Sequence, residues 1–352
     1  MKALIFNESE ILEIVDIPKP TLSSDNDVLI QVKATGICGT DLHILKKEYP
    51  AQPGIILGHE SSGIVEEVGS RVKNVKPGDR VALDPTYHCG ICFYCQNDRP
   101  NYCAEKHHTE TGVSHNGTFV EYHVVNASFL HHLPDDLSFE EATLVEPLAC
   151  VLNALRQTQI RPEFRVLIVG AGPLGLLFGL ATRSMGCEVT IGEVSDYRIE
   201  QARLLFADVQ NYKNNDLLSI NSVRRFDLVI DTSGKSLEKL IKVVDRGGDI
   251  LITGLDYSSE AKIKPSHLTD NGIRIIGSID SNLTFAPVIK MLRHNQDFKK
   301  IITHIFPIKE YEAAFQILGL DLKTGQRGEI KGNKVVIHPN TFEINTFRTL
   351  NN

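Results

Sequence analysis

The apolar positions divide the chain into two parts with different patterns. From residue 1 to about residue 150, short apolar runs such as VLIQVKATG and SSGIVEEVG are broken by Gly, Pro and Asp, which predicts a strand-rich domain of irregular barrel type. From about Val151, compact apolar runs alternate mostly with helix-length segments, which predicts βαβ units around a mainly parallel sheet. These runs cover 165–169, 188–193, 226–231, 249–254 and 274–279.

Beyond about Met291 the pattern changes again. One amphipathic helix is predicted over 309–318 and a last strand over 334–338. A chain of 352 residues is longer than a single hydrophobic core usually becomes, so two domains are expected. The prediction is therefore an α/β protein in which a β-rich domain accompanies a doubly wound parallel sheet.

Charge and composition exclude several classes of protein. The formal net charge is −7 and no basic run is present, which argues against a nucleic-acid partner. The amino-terminal sequence MKALIFNESE carries acids where a signal peptide has its apolar core, and the most apolar stretch, 173–181, is too short to cross a bilayer. We therefore expect a cytoplasmic protein without a membrane partner, whose seven cysteines are reduced.

A glycine-rich turn, GAGPLG, follows the first predicted strand of the second part and precedes an apolar helix, which is the context that a dinucleotide-binding turn requires. Gly170 permits the tight turn, Gly172 lets backbone amides approach a pyrophosphate, and Gly175 lets the helix pack close to the strand. Pro173 and Leu174 complete the motif. These five residues form the predicted coenzyme-binding turn.

An acidic residue ends the second strand of this part. Glu193 lies where a carboxylate can accept hydrogen bonds from the adenosine ribose hydroxyls and repel a 2′-phosphate, so NAD is favoured over NADP. The alternative is an ordinary surface glutamate at a strand end. Arg198 lies nearby and could weaken the preference for NAD.

Four closely spaced cysteines predict a closed metal site. They follow the pattern C-x2-C-x2-C-x7-C, and four thiolates from one loop make a tetrahedral zinc site with no open position, which is structural. Simple core packing is disfavoured because polar residues, 96–99, lie between them. A nucleic-acid-binding knuckle is disfavoured by the acidic charge balance. The predicted ligands of the structural zinc are Cys89, Cys92, Cys95 and Cys103.

A second set of metal-binding residue types is dispersed along the first part of the chain. Cys38 lies in GICGTDLH, His59 and Glu60 in LGHE, and Glu146 in VEPLAC. Each residue alone is a weak signal, because single cysteines and histidines are common in hydrophobic cores. As a set they fit a catalytic zinc, with ligands on separate segments and one position left for water or substrate.

These motifs together resemble one known family. The order GICGTDLH, GHESSGIVEEVGSRV, the four-cysteine lobe, EPLAC and VGAGPLG is similar to that of the zinc-dependent medium-chain alcohol dehydrogenases, from residue 2 to about residue 338. The resemblance implies a GroES-like catalytic domain, residues 1–151 and 292–352, and a Rossmann NAD-binding domain, residues 152–291. It also implies two zinc ions per subunit, one catalytic and one structural.

The resemblance also implies roles for the dispersed set. Cys38, His59 and Glu146 would hold the catalytic zinc, and Glu60 would lie behind the metal as an exchangeable ligand. Because residues four apart share a helix face, Cys150 remains an alternative to Glu146. Glutamate before the proline of EPLAC is typical of the polyol and threonine dehydrogenase branch.

A proton relay is implied in the same way. The hydroxyl two residues after the cysteine ligand, that of Thr40, would pass the substrate's proton through the nicotinamide ribose to His43. Asp41 would orient His59, as carboxylates do for metal-bound imidazoles.

The expected substrate is a small alcohol, in particular a polyol or sugar alcohol as in sorbitol dehydrogenases. Threonine and sugar-alcohol phosphates are also candidate substrates, and Lys46 and Lys47 are either phosphate ligands or a solvated helix face. The same fold could also serve a zinc-free enzyme of quinone-reductase type or a non-enzymatic NAD(H) sensor, but the intact ligand set disfavours both. The resemblance implies a homodimer or homotetramer, since the family commonly joins two sheets at the last strand of the Rossmann sheet, an open edge that can pair with a second copy.

Overall fold

The chain forms two compact units. The computed structural model describes residues 1–106, 110–213 and 225–340. The first unit consists of Met1–Pro147 and Ser281–Asn352, and the second of Leu148–Asp280. The division into a catalytic and a coenzyme domain at 151/152 and 291/292 concerns function and stays a prediction.

The first unit is rich in strands, as predicted. Strands and helices are numbered in order along the whole chain. The strands of this unit are Lys2–Phe6 (β1), Leu12–Asp16 (β2), Asp27–Gly36 (β3), Ile55–Ile56 (β4), Glu60–Val68 (β5), Arg80–Leu83 (β6), Tyr122–Asn126 (β7), Leu130–His132 (β8), Ile302–Pro307 (β15) and Lys334–His338 (β16).

Two sheets are formed by these strands. Within the described residues, one sheet has the order β15-β16-β3-β5-β6-β8, with β7 also paired to β3, and a smaller sheet has the order β2-β1-β4. Neighbours are antiparallel except β15 and β16. Strand β3 pairs with β16, β5 and β7 and is buried at eight of its ten positions. Its pairing with β5 places Gly36 opposite Glu60.

Short helices connect the strands of the first unit. The structure assigns the segment predicted as a helix over 309–318 to a 3₁₀ turn, Ile308–Glu310, followed by an α-helix that ends at Ile317. The α-helices are Gly39–Leu45 (α1), Phe93–Gln96 (α2), Phe139–Ala142 (α3), Val145–Arg156 (α4), Phe285–His294 (α9) and Tyr311–Ile317 (α10), of which α4 continues into the second unit. Further 3₁₀ turns are Pro100–Tyr102, Ala127–Phe129 and Phe298–Ile301.

The second unit contains the predicted parallel sheet. Among the described residues its order is β11-β10-β9-β12-β13-β14, and every neighbouring pair is parallel. This is the doubly wound order, in which successive strands are first added on one side of β9 and then, from β12 onward, on its other side. The fold class is thereby confirmed. The strands are Arg165–Val169 (β9), Glu188–Glu193 (β10), Asp208–Asn211 (β11), Phe226–Asp231 (β12), Val244–Ile252 (β13) and Arg274–Gly277 (β14).

Two strand predictions were wrong at their ends. Strand β13 covers Val244–Ile252 instead of 249–254, because Val244 pairs with Phe226 before an irregularity in the ladder. Strand β14 ends at Gly277 instead of residue 279.

The helices of the second unit are Pro173–Ser184 (α5), Asp196–Arg203 (α6), Leu237–Leu240 (α7) and Pro265–Asn271 (α8). Helix α5 begins with a proline, whose missing N–H costs nothing in the first turn, and it ends before Gly186, which has a positive φ of 94°. In the part of the chain that the structure describes, every helix is too short or too polar to span a lipid bilayer.

Candidate functional site

Cys38 lies immediately before helix α1. It is the N-cap of this helix, and its Sγ accepts a hydrogen bond from the backbone N–H of Thr40 at 3.5 Å. Asp41 completes a capping box by accepting from the backbone N–H of Cys38 at 2.9 Å. The end of β3 and the start of α1 therefore hold the cysteine side chain in a fixed position.

Asp41 joins this segment to the one that carries His59. Its side chain is fully buried, and its second oxygen accepts from the backbone N–H of Gly58 at 3.2 Å. Burial raises the pKa of Asp41, and the two backbone amides and the charge of His59 oppose that increase. Asp41 is thus hydrogen-bonded to the backbone beside each ligand, and it acts on the His59 ring through its charge.

Three potential metal ligands converge at this place. One ligand atom from each of Cys38, His59 and Glu60 lies within 4.8 Å of the others. The Nδ1 atom of His59 is buried and has no hydrogen-bond partner, although buried polar atoms are normally paired. Burial by itself lowers the pKa of His59, but the negative charges of Cys38, Asp41 and Glu146 outweigh it and raise the pKa well above the usual value. This surplus of negative charge around an unpartnered imidazole nitrogen fits a divalent cation.

Glu146 lies in the first turn of α4, and its negative charge contributes to raising the pKa of His59. Within the described residues, however, the group of ligand atoms within 4.8 Å contains Glu60 and not Glu146. The assignment of Glu146 as third ligand therefore stays a prediction, with Cys150 as the alternative.

The four-cysteine loop is compact. The structure shows Cys92 Sγ at 3.5 Å from Cys95 Sγ and at 4.0 Å from Cys103 Sγ, and Cys89 Sγ at 3.9 Å from Cys95 Sγ. A disulfide requires about 2.05 Å between sulfurs. Tetrahedral zinc with Zn–S bonds of about 2.3 Å requires sulfur–sulfur edges of about 3.8 Å. The cysteines are all free thiols spaced for a tetrahedral ion.

Backbone amides surround these sulfurs. The N–H of Cys89 donates to Cys103 Sγ and that of Cys92 to Cys89 Sγ, each at 3.3 Å. Amides of Cys95 and Ala104 hold the pKa of the Cys92 thiol well below its usual range. The loop therefore stabilises a thiolate, the form that binds zinc, at Cys92, whereas burial raises the pKa of the Cys95 thiol to about 12.

The glycine turn follows β9 and starts α5. Gly170 has a positive φ of 103°, and a Cβ built on Gly175 would lie 1.9 Å from the carbonyl oxygen of Gly170, so the turn itself requires both glycines. A Cβ on Gly172 would meet nothing closer than the Arg198 guanidinium at 3.6 Å. The fold itself therefore has room for a side chain at position 172, whereas close approach of a ligand to the backbone would require a glycine there. Pro173 and Leu174 are the first two residues of α5.

Glu193 is turned inward. Its side chain is buried, with one oxygen accepting from the N–H of Ala171 at 2.7 Å and the other from the N–H groups of Val194 and Ser195 at 2.6 and 3.0 Å. The carboxylate therefore braces the glycine turn, a role that the sequence analysis missed. The predicted hydrogen bonds to ribose would use its remaining lone pairs. Arg198 has a buried Nε without a partner.

Comparison with known proteins identifies the family of the chain. The family model described as alcohol dehydrogenase GroES-like domain matches residues 24–135, and the model described as zinc-binding dehydrogenase matches residues 173–294. The sorbitol dehydrogenase of Bacillus subtilis (strain 168) is 32% identical, over 90% of this chain and 93% of its own length. The chain belongs to the zinc-dependent medium-chain dehydrogenase family.

Other relatives of this dehydrogenase carry different names. An L-threonine 3-dehydrogenase of Legionella pneumophila subsp. pneumophila is 32% identical, over 94% of this chain and 99% of its own length. A protein from Sinorhizobium meliloti 1021, assigned as a zinc-binding dehydrogenase and solved bound to NADP, has a TM-score of 0.87 and 25% identity, covering 96% of this chain and 99% of that one. The dehydrogenase is thus an NAD(P)-dependent oxidoreductase of the zinc alcohol dehydrogenase type.

The predicted relay residues share helix α1. Thr40 and His43 are three residues apart, a spacing that places side chains on one helix face. Of the two lysines considered as phosphate ligands, Lys47 forms an ion pair with Glu10. Lys46 belongs to the same turn and also has a partner within the chain.

A buried lysine was missed by the sequence analysis. Lys334, the first residue of β16, is 2% exposed, and its Nζ donates to a carboxylate oxygen of Glu60 and to the carbonyl oxygen of Ile37 at 3.1 Å. Burial acts to lower the pKa of Lys334, but the charges of Glu60 and Cys38 outweigh it and raise the pKa. The ammonium group therefore compensates the carboxylate beside the candidate metal ligands. A lysine at the start of the strand KVVIH, directly before three apolar residues, was the available signal.

We expect Lys334→Met to destabilise the dehydrogenase strongly. Removing one partner of a buried ion pair leaves an uncompensated charge and costs about 3–5 kcal/mol. Urea unfolding of the metal-loaded protein measures this free energy. The matched control is Lys331→Met, since the Lys331–Glu329 pair is exposed, and exposed pairs contribute about 0–1 kcal/mol. Equal unfolding free energies for the two variants would contradict the structural role of Lys334.

Proposed function

We propose that this dehydrogenase oxidises a secondary hydroxyl of a polyol or sugar alcohol with NAD. The observation that carries the proposal is the convergence of Cys38, His59 and Glu60, with Nδ1 of His59 buried and unpartnered. The similarity to a sorbitol dehydrogenase supports a polyol as substrate. The similarity to L-threonine 3-dehydrogenases makes threonine the second candidate.

The chain's own residues would hold two metal ions. Cys38, His59 and Glu146 are proposed for the catalytic zinc, with Glu60 as an exchangeable ligand. A zinc ion bound there supplies Lewis acidity, which lowers the pKa of an alcohol that it binds. The spacing of the four sulfurs supports a structural zinc at Cys89, Cys92, Cys95 and Cys103.

Two residues of α1 are proposed to move the substrate's proton. The Oγ1 of Thr40 would accept it near the ligands, and His43, one helical turn further on, would deliver it to water. The side chain of His43 is 41% exposed, so water reaches the imidazole. The helix thus provides a short path from the buried site to solvent.

The coenzyme is proposed to bind at the glycine turn of the second unit. Gly170, Gly172 and Gly175 shape a turn at the amino terminus of α5, where unpaired amides and the helix dipole favour a pyrophosphate. The negative charge of Glu193 supports NAD over NADP, whereas Arg198 beside Gly172 acts in the opposite direction.

A second copy of the chain is the proposed protein partner. Strand β14 ends the parallel sheet, and its residues 274–276 are only partly buried. An open edge of this kind can pair with the same strand of another subunit, which gives a homodimer or, through further contacts, a homotetramer.

We expect Thr40→Val to slow alcohol oxidation while coenzyme affinity stays near that of the parent. Loss of one acid–base group typically lowers kcat by about 10²–10⁴-fold. Stopped-flow formation of NADH gives the rate, and coenzyme titration gives the affinity. Thr40→Ser, which keeps the hydroxyl, should retain most of the rate. Equal rates for Thr40→Val and the parent would remove Thr40 from the relay.

The two glycine substitutions should separate coenzyme binding from stability. Gly172→Ala places a methyl group where the coenzyme is expected but where the fold has room, so coenzyme affinity should fall and the melting temperature change little. Gly175→Ala forces a shift of α5 away from Gly170 and should cost about 1–3 kcal/mol in stability. Isothermal titration with NAD and thermal unfolding measure the two effects. Unchanged NAD affinity in Gly172→Ala would contradict the proposed site.

The substrate is tested by NADH formation with a panel of sorbitol, other polyols, their phosphates and threonine. We expect turnover with an unphosphorylated polyol, because Lys47 is engaged by Glu10. Metal analysis should find two zinc ions per subunit in the parent. In Cys38→Ser it should find one zinc ion per subunit, and turnover should be lost. Binding of NADH without oxidation of any alcohol would instead indicate a sensor.

A further inference from the structure

The ring of His43 is held by a charged pair. Its Nδ1 lies 2.7 Å from one carboxylate oxygen of Glu48, and the other oxygen of that carboxylate lies 2.8 Å from Nη2 of Arg327. A histidine, a carboxylate and a guanidinium therefore form one connected chain of hydrogen bonds. Neither Glu48 nor Arg327 was identified from the sequence.

The backbone after α1 brings Glu48 to His43. Lys47 adopts a left-handed conformation with a φ of 60°, which ends the helix and reverses the chain. The N–H of Glu48 then donates to the carbonyl oxygen of His43 at 2.8 Å. The contact between the two side chains is thus fixed by a backbone turn and does not depend on two freely moving surface groups.

Arg327 approaches from a distant part of the sequence. It lies 279 residues from Glu48, in a loop where Leu320 pairs with Arg327 and the N–H of Gly328 donates to the carbonyl oxygen of Gly319. The loop presents the guanidinium to the carboxylate oxygen that His43 does not use. The carboxylate is therefore held from both sides.

We propose that Glu48 is a positioning residue for proton release by His43, and that Arg327 holds Glu48 in place. This inference rests on the proposed role of His43 as the last member of the relay. Ionised carboxylates only accept hydrogen bonds, so Glu48 selects the neutral imidazole that carries its proton on Nδ1. The lone pair is then on Nε2, the nitrogen available to accept a proton.

The proton balance is simple. Nε2 accepts one proton from the relay, the ring becomes an imidazolium beside the Glu48 carboxylate, and Nε2 then loses that proton to bulk water. Nδ1 keeps its proton throughout, so the ring returns to its starting tautomer without rotating. Without Glu48, neutral rings protonated on Nε2 would be unable to accept the proton at Nε2, and only the fraction protonated on Nδ1 would be ready to react.

Stability alone does not explain the arrangement. The side chains of His43 and Glu48 are 41% and 39% exposed and that of Arg327 is 66% exposed. Ion pairs at such positions contribute little to folding. Variants of this group should therefore fold normally, which separates a functional effect from a structural one.

The kinetic test compares Glu48→Leu, Glu48→Gln and Arg327→Leu with the parent in the metal-loaded enzyme. We expect kcat to fall about tenfold in Glu48→Leu with KM nearly unchanged, by analogy with the roughly 10–100-fold loss when a partner that orients a metal-bound histidine is removed. Glu48→Gln keeps an oxygen that accepts from Nδ1 and should recover much of kcat. Adding Arg327→Leu to Glu48→Leu should cause no further loss, because Arg327 acts only through Glu48.

The matched control is Glu10→Leu, since Glu10 is a comparably exposed carboxylate paired with the neighbouring Lys47. Its kcat should equal that of the parent. A loss in Glu10→Leu as large as in Glu48→Leu would overturn the proposal, as would a parent-like kcat in Glu48→Leu while His43→Gln is slow. A parent-like kcat in His43→Gln would instead remove the relay on which the inference rests.

A second measurement does not depend on turnover. In protein labelled with ¹⁵N-histidine, the His43 signals are identified by their loss in His43→Gln, and their chemical shifts report which nitrogen carries the proton. At a pH where the ring is neutral, we expect the Nδ1–H form in the parent and a shift toward the Nε2–H form in Glu48→Leu. The same tautomer in both proteins would overturn the proposal.

Discussion

The antiparallel pairing of β3 with β5 is the constraint on which the candidate site depends. It sets Gly36 opposite Glu60, so that Cys38 at the end of one strand and His59 at the start of the other lie side by side. A Cβ on Gly36 would lie 2.3 Å from a carboxylate oxygen of Glu60, so the absence of a side chain makes room for that carboxylate. A shift of one residue in the pairing of β3 with β5 would separate the candidate ligands and move the side chains of the shifted strand to the opposite face of the sheet.

The same pairing buries negative charge, and Lys334 on strand β16, far away in sequence, balances part of it. Glu60 and Asp41 are buried, and Cys38 adds a further ionisable group. Buried charges need partners. Backbone amides satisfy Asp41, and Lys334 from β16 satisfies Glu60. The remaining negative charge lies beside the unpartnered nitrogen of His59, which is the environment that a divalent cation would complete.

Local spacing explains which features the sequence could predict. The parallel sheet and strand-rich first unit follow from short apolar runs, and the glycine turn and four-cysteine loop each lie within a few residues of chain. Lys334 could not be assigned to Glu60, because 274 residues separate them and only the β16–β3–β5 arrangement brings them together. Glu193 was read as a ligand for ribose because its position, but not its inward hydrogen bonds, is visible in sequence. Arg327 was missed for the same reason as Lys334, since 279 residues separate it from Glu48. Glu48 is only five residues from His43, but their contact depends on the left-handed turn at Lys47, which the residue types do not reveal.

The two groups of candidate metal ligands differ in how much of the chain must be in place before they exist. The cysteines from Cys89 to Cys103 belong to one short loop, so a peptide of that length already holds all four sulfurs. Cys38 and His59 meet only once two strands have paired, and their charges are balanced only after β16, near the end of the described chain, has joined the sheet. The loop can therefore offer its sulfurs to a metal ion before the sheets of the first unit assemble, whereas the second group of candidate ligands comes together only once that unit has folded.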